Sequence, residues 1–571
     1  MKKIYTLFAL LLLCAATSVA QTTITIANTS GGKLPTAAGY GTFSGQTFTT
    51  AEASGLANLT ITASSGLTIG EQQVNVANYG YCFRFVTSAP ATDYTVTLTA
   101  PTGYVITGYY LACSANTKDA VHTLTSADGK VSVVASAPPY NSPVGPKAFT
   151  VTGLDAQTTS FTINTANKAN TLYIPTFYVY VMTPEEHFNQ LVEYLKTIPY
   201  GTELNQYRIS YQGQDYTEQL PALAEQFGNT GYSPMAYNVL KTLVANATMT
   251  LNMPEAGTFL RITSCHETIL SGTPASGRLS LTTNADASTI FYFDGTKLLN
   301  YGNGVYANGR DAGSVGGDGI SYWFEESTMK MGAYAIRFNP DGNSNRFLYA
   351  WGTDRNYADQ NGTDHANCVW TLEKLTELPI TMHDGLDGRY YATFSAPVAI
   401  SHVDVGIHKV KLEGNVAKYS EVTEQSATGI PANTGVLLIS DSPDELLAFI
   451  GDYEGETIDT DLRPITAAVS SHEGLFFGLS TENKLGFFKL MEGGETAPTT
   501  GGFKAYLNAP ASAKGVELVA DNEATGVEAI DGLTPNPSPK GKGSMYNLQG
   551  QRVNKAQKGV FIQNGKKVVV K

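Results

Sequence analysis

Apolar and polar residues alternate with a period of two along residues 21–182, in runs that turn residues separate. The segments YTVTLT (94–99) and SFTINT (160–165) show this pattern most clearly. Since successive side chains of a strand point to opposite faces, the pattern predicts strands with one buried face. About nine strands at this spacing are typical of a β-sandwich, and we expect one of jelly-roll type. They are predicted at Thr22–Ala27, Leu59–Ala63, Tyr81–Val86, Tyr94–Ala100, Tyr104–Ala112, Lys130–Val134, Ala148–Val151, Ser160–Asn164 and Tyr173–Val181.

The pattern changes to helical spacing at Thr183. Thr183 is suited to an N-cap, Pro184 to the first helical position, and Glu186 to a side chain that reaches back to the cap. Apolar residues then follow at helical spacing over 188–195. We interpret 183–250 as a small helical connector whose apolar stripes form a core of their own. Two further helices are predicted near Glu218–Phe227 and Pro234–Ala245.

Residues 255–376 contain three approximate repeats. Each combines an aromatic strand with a short apolar strand that contains a basic residue. Three repeats of this kind predict a β-trefoil, because its core takes equivalent strands from each repeat. The aromatic strands are STIFYFDG (288–295), ISYWFEES (320–327) and CVWTLEKL (368–375), and the short ones are FLRI (259–262), KLLN (297–300) and AIRF (335–338).

Strand patterns and Gly/Pro turns return over 377–524, which predicts a second β-sandwich, with an immunoglobulin-like form as one alternative. The segment TPNPSPKGKGS (534–544) has the composition of an extended linker, and we group 525–571 as linker plus a short β tail. The predicted fold class is therefore mainly β and multidomain.

The first 20 residues have the pattern of a signal peptide. Lys2 and Lys3 precede an apolar run over 7–16, which is too short to span a bilayer, and small residues lead to a cleavage site between Ala20 and Gln21. We expect no transmembrane segment in the rest of the chain. The pattern predicts export from the cytoplasm.

The charge distribution excludes nucleic acid as a partner. The chain has a formal net charge of −13, which becomes −15 without Lys2 and Lys3. Because 532–571 carries eight Lys and Arg and no carboxylate, the remainder is near −23. Such a body repels polyanions. Only 15% of residues are charged, and the 56 glycines and 32 tyrosines are typical of extracellular β-structure with many turns.

Four cysteines follow the predicted signal peptide. Cys82 and Cys113 fall in one predicted domain, and Cys265 and Cys368 fall in another. In an oxidising compartment they are suited to two intradomain disulfides, and four buried thiols are the alternative. Their spacing does not match a zinc site, and we predict no metal site.

The tail MYNLQGQRVNKAQKGVFIQNGKKVVVK (545–571) is basic and strand-like. An Asn-Gly type I′ turn would join GVFIQ to KKVVVK, with MYNLQ pairing alongside. The tail resembles the C-terminal sorting domains of type IX secretion cargo in Bacteroidetes. This resemblance implies a type IX-like machinery as partner and release at, or attachment to, the outer-membrane cell surface. An ordinary terminal hairpin is the alternative. The matching positions include Tyr546, Leu548, Gly550, Arg552, Gly559, Asn564, Gly565 and Lys571.

Two weaker resemblances concern the ligand. The segment YTVTLTAPTGYVITGYYL (94–111) is similar to accessory modules on secreted Bacteroidetes glycosidases, sialidases among them. The aromatic repeat ends of 255–376 resemble ricin-type lectins, but the Q-x-W triplet of that family is replaced by Cys368-Val369-Trp370. Both resemblances imply a glycan ligand.

No motif predicts catalysis or a cofactor. G-x-S-x-G, HExxH, P-loop and dinucleotide fingerprints are absent from the sequence. We therefore predict no catalytic residue, no cofactor and a non-enzymatic protein. A glycosidase, whose two carboxylates can be distant in the chain, is the main alternative. A purely structural or adhesive surface component is another.

The segment WGTDRNYADQNGTDH (351–365) is the predicted ligand site. Trp351 and Tyr357 are suited to stack on the apolar face of a sugar, while neighbouring polar residues bond its hydroxyls. The alternative is that both rings cover the core of their own domain. We expect a secreted or surface-exposed protein that binds glycans or host surface ligands. The predicted polar contacts come from Asp354, Asn356, Asp359 and Asn361.

Overall fold

The computed structural model has the mainly β, multidomain fold that the sequence predicts. A first strand, β1, covers Lys2–Lys3. The rest of the predicted signal segment, including Ala20, and the predicted linker 534–544 lie outside the described residues. The structure describes residues 2–3, 21–28, 34–74, 80–117, 120–136, 146–166, 169–340, 342, 345–352, 354–422, 429–469, 474–480, 483–489, 502–510, 513–521, 545–546, 552–553, 559–563 and 566–570.

The N-terminal sandwich (21–182) consists of two sheets packed face to face around one core. One sheet has the order β11-β10-β13-β8-β5-β4-β3, and the other has β12-β9-β14-β7-β6 with β2 also paired to β14. Each of the nine predicted strands overlaps an observed one, while β3, β4, β6 and β10 were not predicted. The strands are β2 Thr22–Asn28, β3 Gly41–Ser44, β4 Thr47–Thr50, β5 Thr60–Ala63, β6 Leu67–Val74, β7 Gly80–Thr87, β8 Asp93–Thr99, β9 Val105–Ala115, β10 Val121–Ser126, β11 Ser132–Ser136, β12 Lys147–Ala156, β13 Thr158–Thr165 and β14 Thr171–Met182.

The helical unit (183–250) starts with the predicted capping box. Thr183 Oγ1 accepts from the Glu186 amide at 3.2 Å, and Glu186 Oε2 accepts from the Thr183 amide at 2.8 Å. Three strands, one of them paired with β1, accompany the three helices. The elements are α1 Pro184–Thr197, β15 Tyr207–Tyr211, β16 Gln214–Asp215, α2 Gln219–Thr230, α3 Pro234–Asn246 and β17 Thr248–Leu251.

The prediction that the helices have a core of their own was wrong. Phe188, Leu191 and Leu240 of the helices belong to one contiguous buried cluster with Leu260 and Trp370 of the following unit. The helical faces are therefore covered by neighbouring β-structure rather than by each other alone.

The trefoil-like unit (255–376) contains one sheet in which the predicted repeats pair with one another. The three aromatic segments form β21, β23 and β27, and the three short segments form β18, β22 and β24. The strands are β18 Thr258–Ser264, β19 Ile269–Ala275, β20 Arg278–Thr282, β21 Ile290–Phe293, β22 Leu298–Asn300, β23 Tyr322–Glu326, β24 Tyr334–Phe338, β25 Arg346–Ala350, β26 Ala358–Asn361 and β27 Val369–Lys374.

Six of these strands form one continuous series of pairs. β27 pairs with β18, β18 with β21, and β21 with β22, while β23 pairs with β24 and β24 with β27. The Tyr322 amide donates to the Thr296 carbonyl at 2.7 Å, which links β23 to the segment before β22. The hairpins β19–β20 and β25–β26 extend this series, since β19 pairs with β18 and β25 pairs with β24. The trefoil assignment stays a prediction.

The C-terminal sandwich (377–524) has a three-stranded sheet, β28-β35-β31, and a larger sheet in the order β29-β30-β34-β32-β33-β40-β38-β37-β39-β36. β33 and β40 pair in parallel, with Val416 opposite Glu517. This differs from the antiparallel sheets of an immunoglobulin-like sandwich. The strands are β28 Glu377–Ile380, β29 His383–Asp384, β30 Tyr390–Phe394, β31 Ile400–Val403, β32 Gly406–Glu413, β33 Val416–Glu421, β34 Val436–Ser440, β35 Leu446–Ile450, β36 Leu462–Ile465, β37 Leu475–Leu479, β38 Leu485–Phe488, β39 Lys504–Leu507 and β40 Gly515–Ala520.

The trefoil-like unit and the C-terminal sandwich touch through glycine backbones. Gly304 has φ +69°, and a Cβ at this position would lie 2.2 Å from the Gly502 nitrogen. The Ala468 amide donates to the Gly304 carbonyl at 2.7 Å. Phe259 and Tyr301 of one unit pack on Phe503 of the other, with ring centroids 5.5 and 4.9 Å apart. The two units therefore share one interface core.

The tail (545–571) contains four short strands that pair in the order β42-β41-β43-β44. As predicted, β43 pairs with β44 and β41 lies alongside β43; Gln563 is opposite Lys566 at the hairpin end. The predicted tail positions Leu548, Gly550, Asn564, Gly565 and Lys571 lie outside the described residues. The strands are β41 Met545–Tyr546, β42 Arg552–Val553, β43 Gly559–Gln563 and β44 Lys566–Val570.

Cys82, Cys113, Cys265 and Cys368 form no disulfide with one another in the structure. Cys82, Cys113 and Cys368 are buried, and burial raises the pKa of each of these thiols to about 12. Cys265 is exposed. The buried-thiol alternative therefore describes three of the four positions, and the two expected disulfides are not formed.

Candidate functional site

The predicted ligand loop lies at the end of the β25–β26 hairpin. Trp351 directly follows β25, and Tyr357 directly precedes β26. Both rings are half-buried, while Asp354 and Asn356 between them are exposed. Asn361 ends β26, and its side chain accepts from the Gly362 amide at 2.9 Å.

Arginines cover the two rings that were predicted to stack on a sugar. The Arg355 guanidinium lies 4.2 Å from the Trp351 ring centroid and 5.7 Å from that of Tyr357. Arg278 lies 4.8 Å from the Tyr357 centroid. Because a guanidinium over a ring face is held by cation–π attraction, a sugar has to displace it before stacking there. The loop is therefore less open than its sequence indicates.

Asp359 is engaged by groups of the protein itself. Its carboxylate accepts from Trp351 Nε1 at 3.1 Å and from the Gln360 amide at 2.9 Å. Arg278 Nη1 lies 3.0 Å from Oδ2, and Arg310 forms a second ion pair. Burial acts to raise the pKa of Asp359, but these hydrogen bonds and charges hold it below its usual value. Asp359, which was predicted to contact a sugar hydroxyl, is thus already bonded to four groups of the protein; the sugar contact stays a prediction.

Replacing Asp359 with alanine is expected to destabilise the trefoil-like unit by about 2 kcal/mol, because two arginines lose their carboxylate in a site that is only 15% exposed. Urea unfolding followed by tryptophan fluorescence measures this directly, since all three tryptophans lie in this unit. The matched control is Asp354→Ala in the same loop, where an exposed side chain contributes less than about 0.5 kcal/mol. Equal stability of the two variants would contradict the structural role of Asp359.

A second candidate site lies on the N-terminal sandwich, on strands β9 and β14. Phe177, Val179 and Val181 of β14 point into the core, so Tyr178 and Tyr180 point to the opposite face of the sheet. Tyr178 lies directly opposite Tyr110 of β9. The pleat and the register of these two strands therefore bring tyrosines of distant sequence onto one outer surface.

The rings on this surface have a regular arrangement. The Tyr110 and Tyr178 centroids are 6.1 Å apart, with 24° between the ring planes. Tyr180 is opposite Gly108, where a Cβ would lie 3.5 Å from the Tyr180 ring and 2.7 Å from the Val151 carbonyl oxygen. The glycine thus leaves room for the Tyr180 ring beside the backbone.

Threonines border these tyrosines on the neighbouring strands. Thr25 of β2 lies opposite Tyr178, and Thr150 of β12 lies opposite Tyr110. Two further threonines occupy the adjacent row, and the two rows include no charged residue. We call this surface the tyrosine face; it comprises Thr23, Thr25, Gly108, Tyr110, Thr150, Thr152, Tyr178 and Tyr180.

The hydroxyl groups of Tyr178 and Tyr180 are neutral, because the pKa of each is raised. Burial raises the pKa of Tyr178, and the neighbouring Tyr110 and Tyr40 raise it further. The pKa of Tyr180 is raised by burial and by Tyr178 and Tyr110. Neutral phenols both donate and accept hydrogen bonds, so the face combines flat apolar rings with groups that can bond hydroxyls.

The two strands are predictable from the sequence, but the tyrosine face was not among the predicted sites. The sequence does contain a sign of this face. In GYY (108–110) and FYVY (177–180), tyrosines occupy positions of the strands that alternate with the buried ones and therefore face outwards. The outward-facing positions of most strands carry Thr, Ser or charged residues. Large aromatic rings at these positions therefore indicate a binding surface.

The part of the chain that the structure describes has no candidate metal-binding cluster and no candidate membrane-spanning helix. Within it, no group of three or more His, Cys, Asp or Glu side chains is arranged to hold a metal ion. None of its helices is long and apolar enough to cross a membrane.

No family model and no curated protein matches this chain. Among solved structures it is similar to carbohydrate-binding modules. The CBM22-1 xylan-binding domain of Xyn10C from Paenibacillus barcinonensis shows 9% identity and a TM-score of 0.15, over 22% of this chain and 86% of that domain. TmCBM61, solved in complex with β-1,4-galactotriose, shows 13% identity and a TM-score of 0.14, over 22% and 86%.

A glycoside hydrolase is also among the similar structures. The glycoside hydrolase domain of Endo-D, Spr0440, from Streptococcus pneumoniae R6 shows 9% identity and a TM-score of 0.15, over 54% of this chain and 37% of that one. All three TM-scores are far below 0.5. These likenesses therefore carry no argument about ligand or activity, which have to be argued from the residues of this chain.

Proposed function

We propose that this chain is a secreted, non-enzymatic glycan-binding protein and that the tyrosine face is its binding surface. The observation that carries the proposal is the pair Tyr110 and Tyr178, whose nearly parallel rings stand side by side on the outer surface of a sheet. Rings in this position offer a flat apolar platform in contact with solvent.

The chemistry of the face favours a neutral oligosaccharide. The apolar C–H face of a pyranose packs on an aromatic ring, while tyrosine and threonine hydroxyls bond the sugar hydroxyls. A charged ligand would find no counter-charge in the two rows of the face. A platform on a sheet also leaves both ends of the ligand free, which suits binding within a chain as well as at its end.

Export is the second part of the proposal. Lys2 and Lys3 and the apolar run that follows them support passage to the periplasm. The tail, which resembles a sorting domain, supports passage across the outer membrane by a type IX-like machinery. The described strands of this tail, β41–β44, pair with one another in a sheet of their own. A glycan-binding protein at the cell surface meets its ligand outside the cell.

The non-enzymatic part of the proposal separates it from the glycosidase alternative. The tyrosine face holds no carboxylate pair, which glycoside hydrolysis needs on both sides of the scissile bond. A screen of the purified protein on chromogenic glycosides tests this part. Turnover that disappears on substitution of one carboxylate would favour the hydrolase.

Replacing Tyr110 and Tyr178 together with alanine is expected to weaken glycan binding roughly 30-fold, since two ring contacts of about 1 kcal/mol each are lost. A glycan array identifies the ligand of the full-length protein, and isothermal titration measures the affinities. The matched control is Trp323→Ala, which removes an aromatic side chain that is 43% exposed outside the face. Unchanged binding by the double variant, with loss in the Trp323 or a Trp351→Ala variant, would place the site elsewhere.

A further inference from the structure

A cavity of about 450 Å³ lies between the trefoil-like unit and the C-terminal sandwich. Loop residues 301–302 form one side, and strands β30, β37 and β39 with the segment 379–383 form the other. Its volume falls within the range of small-ligand sites. The aromatic side chains that line it are Tyr301, Phe394, Phe476, Phe477 and Phe503.

Two basic side chains face this cavity, and no carboxylate is among its described lining residues. Lys504 is partly buried, whereas His383 is exposed, so the lysine lies deeper and the histidine nearer the opening. No ion pair of Lys504 occurs among the described residues. The described lining residues therefore include two basic groups and no acidic one.

The protonation of both groups reflects this lack of a partner. Burial lowers the pKa of Lys504, as expected for an ammonium group that leaves water without a carboxylate nearby. The pKa of His383 is also lowered, first because part of its ring is removed from water and then because of the charge of Lys504. A bound anion would relieve the cost of the buried charge.

The backbone next to Lys504 is held in a strained conformation. Phe503 has φ +56°, in the left-handed region that a bulky residue seldom adopts. Ser395 fixes this segment, with its amide 3.2 Å from the Phe503 carbonyl and its Oγ 2.6 Å from the Lys504 carbonyl. Backbone strain that the surroundings maintain is typical of binding sites, and here it lies directly beside Lys504.

We propose that this cavity, the inter-unit pocket, binds an acidic sugar whose carboxylate pairs with Lys504 Nζ and whose ring packs on the aromatic wall. One uncompensated cation calls for one negative charge, and the phenyl rings call for a ligand with an apolar face. A monosaccharide acid such as a uronic acid, free or at the end of a glycan, combines both. The proposal does not depend on the tyrosine face, which lies on a different unit.

The test is isothermal titration of the full-length protein with D-glucuronate, D-glucose, benzoate and inorganic phosphate. Glucuronate is expected to bind, with the other three at least about 10-fold weaker. Lys504→Gln is expected to weaken glucuronate binding at least about 10-fold, and Lys514→Gln, at an exposed lysine of the same unit, to leave it unchanged. Because Lys504→Gln removes an unpaired buried charge, its unfolding temperature is expected to equal or exceed that of the wild type.

Three results would overturn the proposal. The first is an equal glucuronate affinity of the wild type and Lys504→Gln, and the second is no glucuronate binding at millimolar concentration. The third is an affinity for phosphate or benzoate equal to that for glucuronate. Equal affinity for phosphate would indicate a simple anion site, and equal affinity for benzoate would indicate a site for apolar acids. Array binding at the tyrosine face is expected to survive Lys504→Gln, so the two sites fail or succeed separately.

Discussion

Replacing Asp155 with alanine is expected to lower the free energy of opening of helices α1 and α3 by about 3 kcal/mol. Asp155 stands near the end of β12 in the N-terminal sandwich, with its side chain only 4% exposed. It pairs with Lys241 Nζ at 2.5 Å and lies 3.4 Å from His187 Nδ1, and Tyr237 donates to it. Removing this carboxylate takes away the counter-charge of Lys241 and an acceptor for Tyr237. Breaking a buried ion pair by removing one partner destabilises a protein strongly, because the remaining charge is no longer compensated.

Hydrogen exchange resolved by mass spectrometry measures this effect, because it reports opening of each segment rather than unfolding of the whole multidomain chain. Amides of 184–197 and 234–246 are expected to lose protection, while those of β18 and β27 change less. The matched control is Glu193→Ala in α1, which breaks only an exposed pair with Lys196, contributing less than about 1 kcal/mol. Equal protection of these amides in the two variants would contradict the proposed role of Asp155, which is to bind the helical unit to the N-terminal sandwich.

The ionisation of Asp155 is expected to make the stability of the folded protein depend on pH in the acidic range. Burial acts to raise the pKa of Asp155, but His187, Lys241 and Tyr237 lower it to about 2 in the folded protein. A depressed pKa stabilises the folded state above the unfolded-state pKa, near 4, and this contribution is lost as the pH falls towards 2. It amounts to about 2 kcal/mol and is expected to be absent from Asp155→Asn.

Deleting residues 534–571 is expected to abolish surface delivery and leave a folded protein in the periplasm. The reason is that the deleted segment contains the tail that we propose as the sorting signal, whose four described strands form their own sheet. Cell fractionation and digestion of intact cells with protease measure the distribution between periplasm and surface.

The control for this deletion replaces only 534–544 with a Gly/Ser segment of equal length. This variant keeps the tail and the reach of the linker, so its surface delivery is expected to be normal. Normal delivery of the full deletion would instead show that the tail is an ordinary terminal hairpin.

The alternation of apolar residues predicted most strands because each long strand has one buried face. The strands that were not predicted lack that signal. β10 places His122 at a fully buried position, where Thr165 Oγ1 lies 3.1 Å from its Nδ1. A polar side chain on the inner face breaks the pattern, although the structure gives it a hydrogen-bond partner. β3 and β4 are short and rich in threonine, so their alternation is weak.

The predicted ligand loop shows why a site is harder to predict than a strand. Its aromatic and polar residues are contiguous in sequence, but Arg278 and Arg310, which bind Asp359 in the structure, come from much earlier in the chain. The residues of the tyrosine face, in contrast, are distant in sequence, since Tyr110 and Tyr178 become neighbours only through the register of β9 with β14. The local sequence pattern determines which face of a sheet a side chain occupies, whereas the strand register determines which side chains are its neighbours.

A crystal structure of the protein with the oligosaccharide that the glycan array identifies tests the central claim most directly. The account predicts that two consecutive sugar rings lie on Tyr110 and Tyr178, with hydroxyls bonded by the bordering threonines. A ligand seated instead on the Trp351 loop, or between facing carboxylates in another unit, would contradict it.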